Sequence, residues 1–278
     1  MLFLLLAILS SSAISIVMRI SSGRITANSS MLAVNYLVCA LLGAAYTGFS
    51  PAMPSDPGFT ETWIMGVISG VLYLGGFVLC QYNTRKRGIV LTSVFMKLGL
   101  LVPVSVSMLL FREIPGISQI LGFAIALVAI VLINLKKDAS GKGFSWSLIL
   151  MLLLCGGSDV MSKVFEKLGP AALSDSFLLY CFATAFGIAG VMALVKKEKP
   201  GLSELLFGVL IGVPNFFSAK FLLAALAKLP AVVVYPSFSV ATLLIVTLAG
   251  VILFRERLSK LQWGAMGAIL AALVFLNI

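Results

Sequence analysis

The chain has 278 residues, of which 60% are hydrophobic and only 11% charged, and its mean hydropathy is +1.13. A water-soluble domain of that composition could not cover its surface with polar groups, so lipid is the solvent that fits. The net charge of +10 comes from basic residues placed between apolar runs, which speaks for topology anchors and against nucleic acid as a partner.

In chain order the apolar runs are 2–20, 31–50, 62–83, 88–111, 116–135, 144–165, 173–195, 203–227, 231–254 and 259–277. Most approach the ~20 residues that cross hydrocarbon as a helix, and they lack the alternation of barrel strands. Backbone groups in lipid must pair internally, so the runs predict ten transmembrane helices. The first run, MLFLLLAILSSSAIS, lacks the basic start of a signal peptide and has a counterpart in the second half, so it counts as a span. Pro51, Pro54, Asp56, Pro57 and Gly58 make a loop; Arg85-Lys86-Arg87-Gly88 makes a basic turn. KKDASGKG, Lys136 to Gly143, divides the chain near its middle, and KKEKPG, Lys196 to Gly201, repeats its style.

Loops on alternate sides differ in charge. One side receives fourteen basic residues, from Arg19 and Arg24 through Arg255, Arg257 and Lys260; the other receives four, Arg112, Lys163, Lys167 and Lys228. Positive loops stay in the cytoplasm, so a multi-pass protein of the cell (inner) membrane with both termini non-cytoplasmic is expected.

Cys39, Cys80, Cys155 and Cys181 each fall inside an apolar run, without a CxxC pair, and the chain has no histidine. They are packing residues on this reading; no metal site, cofactor or enzymatic chemistry is expected. GxxxxGKS is also absent, which argues against direct coupling to ATP.

The chain repeats itself at a shift of about 143 residues. Leu110-Phe111-Arg112-Glu113 matches Leu253-Phe254-Arg255-Glu256, and Gln119 matches Gln262. Gly66 and Gly70 match Gly208 and Gly212, Ser15-x-Val17-Met18 matches Ser158-x-Val160-Met161, and Tyr36 lies opposite Tyr180. This gives two five-helix repeats, 1–138 and 139–278. An odd number of spans per repeat turns the second copy upside-down. The expected fold class is therefore an all-α integral membrane protein with ten transmembrane helices in two inverted five-helix repeats.

Two five-span halves, each with Leu-Phe-Arg-Glu between its fourth and fifth spans, resemble the drug/metabolite transporter superfamily in its EamA-type branch. Residues 231–277 also resemble the last two helices of small multidrug resistance proteins. The likeness covers the whole chain. Those exporters carry a glutamate in their first helix; the comparable positions here, near Ser11 and Cys155, are not ionisable, so that coupling chemistry does not carry over. Many EamA-type members are expected to have cytoplasmic termini, the reverse of the charge bias here.

Three ionisable residues lie within spans, where charge is costly and usually faces a cavity or partner: Lys97, Asp159 and Lys220. None has an ionisable match in the other half, which favours a substrate-facing role over a packing one. A buried Lys97–Asp159 or Lys220–Asp159 ion pair that only fixes helices is the alternative, and Lys220 could also snorkel. Around them stand Asn35, Tyr36, Tyr73, Tyr180 and Asn215, together with Tyr235 and Ser237 beside Pro236. Phe95 and Phe238 are repeat-related and align with an aromatic that lines the pathway in the multidrug family. The glycine pairs are packing residues on this reading, and the Arg-Glu pairs caps.

The expected function is secondary transport of a small polar metabolite (an amino acid, a sugar or an organic anion) by alternating access, with a proton or ion as a possible coupling partner. A multidrug or cationic exporter and a non-transporting membrane scaffold are the alternatives. Two halves in one chain can complete a pathway alone, which favours a monomer.

Overall fold

The computed structural model describes residues 1–21, 24–87, 89–134, 146–255 and 260–277. The linker 136–143, Gly88, Glu256 and Arg257 lie outside the described residues, as do the side chains of Arg85, Arg87 and Gln262. Among the described residues the regular structure is entirely helical: α1 (Leu2–Ser21), α2 (Asn28–Tyr46), α3 (Phe59–Arg87), α4 (Ile89–Leu98), α5 (Leu101–Leu110), α6 (Ile117–Asn134), α7 (Trp146–Leu168), α8 (Ser174–Val195), α9 (Leu202–Leu226), α10 (Ala231–Phe254) and α11 (Lys260–Asn277), with a short 3-10 turn at Ala171–Leu173.

Seven of these are long and apolar enough to cross a membrane, and shorter apolar helices cover Phe95–Leu110, Ile117–Ile130 and Trp263–Leu276. Large apolar side chains face outward, such as Leu2, Leu5 and Leu9 on α1 and Val191, Leu194 and Val195 on α8. Water would penalise those surfaces and hydrocarbon would not, which marks the protein as membrane-associated.

The fourth apolar run, expected as one span, is two helices. Pro103 has no N–H to give to the Gly99 carbonyl four residues back, and its ring crowds that carbonyl. The chain tightens there into three-residue bonds, from Gly99 N to the Met96 carbonyl at 3.2 Å and from Val102 N to the Gly99 carbonyl at 3.0 Å.

The chain folds into two compact units. The first comprises Met1–Leu74 and Met161–Ala227, the second Gly75–Val160 and Lys228–Ile278. Each draws on both sequence halves, so a repeat and a compact unit are different groupings; α3 and α7 contribute to both.

In the first unit α2 packs on α8 and α9, and α1 on α9. The matched glycines make the close approaches. A Cβ on Gly208 would stand 2.6 Å from Val34 of α2, and one on Gly212 2.8 Å from the Asn35 carbonyl. A Cβ on Gly66 would stand 2.7 Å from Tyr180 of α8, and one on Gly70 2.4 Å from the Cys181 carbonyl. Small residues let helix backbones meet in this way. The N-terminus of α2 is held by two carboxylates. Glu204 accepts from Thr26 N at 3.0 Å, Ala27 N at 3.3 Å and Gly201 N at 3.0 Å; Glu198 accepts from Ser29 N at 2.7 Å. Acceptors there satisfy amides that have no intrahelical partner.

In the second unit α6 packs on α11, and α10 on α5, α6 and α11. Asn83 of α3 and Ser147 of α7 bond reciprocally: Asn83 Nδ2 donates to the Ser147 carbonyl at 3.0 Å, and Ser147 Oγ donates to Asn83 Oδ1 at 2.6 Å. The repeated Leu-Phe-Arg-Glu motif is a helix stop. Arg112 follows α5 with φ 53°, and Arg255 follows α10 with φ 54°. Glu113 then turns back, accepting from Ser107 Oγ at 2.5 Å and from Ala231 N, the first residue of α10, at 2.8 Å.

Several helix contacts recur when repeat partners are exchanged. By sequence α2 corresponds to α8, α3 to α9 and α1 to α7. Contact of α3 with α8 is matched by α9 with α2, and contact of α1 with α9 by α7 with α3, where Gly76 meets Cys155. The α2–α8, α5–α10 and α6–α11 contacts map onto themselves.

Candidate functional site

The sequence-selected polar residues fall into three groups. The first lies in the first unit, where α2, α3 and α9 meet. Tyr73 Oη donates to Asn215 Oδ1 at 2.7 Å, and Asn215 Nδ2 donates to Asn35 Oδ1 at 3.2 Å. The glycine contacts set this register: Asn215 follows Gly212 by three residues and Tyr73 follows Gly70 by three, so both face where their helices approach neighbours. Tyr36 is 1% exposed; its ring meets Tyr73 edge-on with centroids 6.0 Å apart and stacks on Phe182 at 6.4 Å. Neutral donors and acceptors in an aromatic frame can recognise hydroxyl or amide groups without burying charge.

The second group lies in the second unit and holds Lys97 and Asp159. A Cβ on Gly156 would stand 2.5 Å from the Gly99 carbonyl, so α7 passes close to the break between α4 and α5. Lys97 precedes that break by two residues and Asp159 follows Gly156 by three, and the two side chains interact electrostatically. Tyr235 Oη, on α10, donates to the Asp159 carbonyl at 2.6 Å and fixes the backbone that carries the acid. Ser237 is buried beside Pro236, while Phe95 and Phe238 are half-buried on α4 and α10. A lysine and an aspartate in apolar surroundings can hold a charged solute or exchange a proton.

The third group is a cavity of about 180 Å³ in the first unit, lined by the end of α7, the start of α8 and the end of α9. Lys220 lies here. Its ammonium donates to Asp175 and sits 3.9 Å from the centroid of the Tyr46 ring. The acid that Lys220 pairs with is thus Asp175, where the sequence offered Asp159. Glu166, also on the cavity wall, is held by Lys163 at 2.8 Å. Lys163, counted above as a loop cation, belongs to α7 and is 1% exposed. Tyr180 stands apart from all three groups: its Oη donates to the Ala52 carbonyl at 2.5 Å, tying α8 to the loop after α2.

Asp175, Glu166, Lys163 and Asn83 were not among the sequence candidates. Asp175 sits two residues into an apolar run, where an acid looks like an ordinary helix start. Asn83 was hidden beside the basic turn that follows it.

No family model matches the chain. It is 22% identical over 276 residues to an uncharacterized protein of Haemophilus influenzae, a match covering 94% of this chain and 92% of that protein. A solved crystal structure, described only as that of a protein, matches with a TM-score of 0.74 and 18% identity, covering 99% of this chain and 94% of the other. At that identity the likeness extends to the fold.

Proposed function

We propose that the protein is a secondary transporter of the drug/metabolite transporter type, moving a small polar metabolite across the membrane by alternating access. The observation that carries this reading is the exchange of helix contacts between repeat partners. Recurring contacts of this kind support two packings of similar energy, related by swapping the roles of the halves. If the halves are inverted, as five spans each would require, the two packings open to opposite sides. The Asn35–Tyr73–Asn215 group and the Lys97–Asp159 group supply solute-facing chemistry, and Lys97 or Asp159 supplies a proton-exchange group. Fourteen basic residues on one set of loops support termini outside the cytoplasm. An alkaline phosphatase fused to the C-terminus should then be active, and an inactive, well-expressed fusion would reverse the topology.

The direct test is flux. Purified protein in liposomes, given labelled amino acids, sugars and organic anions in turn, should accumulate at least one class above protein-free vesicles. Lys97→Met and Asp159→Asn should each lower that flux at least tenfold while leaving folded yield unchanged. Folded protein that moves none of the three classes would end the carrier reading.

A further inference from the structure

We propose that the cavity around Lys220 and Asp175 is a binding site for a small zwitterion with an apolar body. The site is built around one opposed pair of charges, Lys220 and Asp175, with Glu166 and Ser174 as the other polar residues on a mostly apolar wall. Lys220 and Asp175 are in direct contact, yet their side chains keep 23% and 30% exposure. Phe165, Leu178 and Leu223 supply apolar wall. The space, about 180 Å³, is large enough for several waters and suits an amino-acid-sized solute.

Charge accounting selects the ligand. An ammonium alone could reach Asp175 only by displacing Lys220, leaving that cation partly buried and unpaired. A carboxylate alone would orphan Asp175 in the same way. At 23% and 30% exposure, a charge left without its partner is disfavoured, though less than in a dry core. A zwitterion inserted between them turns one ion pair into two and orphans neither group. The Tyr46 ring continues to hold the lysine ammonium while Asp175 turns to the ligand. Glu166 is engaged by Lys163, so Asp175 is the acid that meets the ligand ammonium. A sugar, having no charge to offer either partner, gains nothing from opening the pair. This deepens the carrier reading by naming a substrate class, but it concerns binding alone. Binding without flux would sink the carrier and spare the site, and flux without binding here would do the reverse.

The experiment is calorimetric titration of the detergent-purified full chain with leucine, 3-methylbutylamine and 4-methylpentanoate, which share the branched body and differ in charge. Leucine should bind at least tenfold tighter than either singly charged probe. Lys220→Met and Asp175→Asn should each weaken leucine at least tenfold. If a single variant fails to stay monodisperse, the double variant Lys220→Gln/Asp175→Asn, which leaves no charge orphaned, carries the same expectation. A singly charged probe matching leucine in the wild type, or leucine binding unchanged in the double variant, would overturn the proposal, as would leucine failing to bind the wild type.

Discussion

Asn215 is where the uncharged polar chemistry of the first unit converges, accepting from Tyr73 and donating to Asn35. In apolar surroundings water does not replace a lost partner easily, although other protein groups often do, so such bonds between helices are worth about 0.6–1.7 kcal/mol. Tyr73→Phe keeps the ring contacts with Tyr36 and Phe182 and removes only the hydroxyl. It should lower stability in detergent by about that amount, read as a fall in chemical-denaturation free energy. A variant as stable as the wild type would mean that Asn215 finds another donor. All three residues were legible in the sequence, because uncharged polar side chains stand out inside apolar runs. Their mutual bonding was not, since it joins positions 142 and 180 residues apart. Lys220 was equally visible, but its partner was not: nothing in the sequence separates Asp175 from an ordinary helix-start acid.

At the scale of elements, glycine decides which helices touch. Gly70→Ala would set a methyl 2.4 Å from the Cys181 carbonyl, and Gly212→Ala one 2.8 Å from the Asn35 carbonyl. Both obstacles are backbone, which cannot swing aside, so each substitution should cost about 1–3 kcal/mol. Gly187→Ala on α8 meets nothing within 4 Å and should leave the melting temperature unchanged or slightly higher. Equal melting temperatures for all three variants would show that the close approaches do not bear on stability. The glycine spacing announced these contacts in the sequence, though not which helix each pair would meet. The division of the fourth run into α4 and α5 had its cause in plain view at Gly99 and Pro103. An apolar-run criterion passes over it because hydropathy does not register a missing N–H.

For the whole molecule, the all-helical architecture was legible because long apolar runs without strand alternation pair their backbone groups internally only as helices. The grouping into compact units was not, because apolar periodicity shows which faces are buried and not in whose company. The first unit joins α1 and α2 to α8 and α9, so neither sequence half contains it. Residues 1–138 and 139–278 produced separately should each fail to give monodisperse protein, whereas co-expression should yield a co-purifying complex. A monodisperse isolated half would contradict that dependence. Tyr73 and Asn215 have a consequence here, since they occupy equivalent places in the two copies and yet bond to each other. Two identical copies would set phenol against phenol or amide against amide, and neither reproduces this one-way donation. A tandem fusion of either half with itself should therefore lose the Tyr73–Asn215 match at the junction.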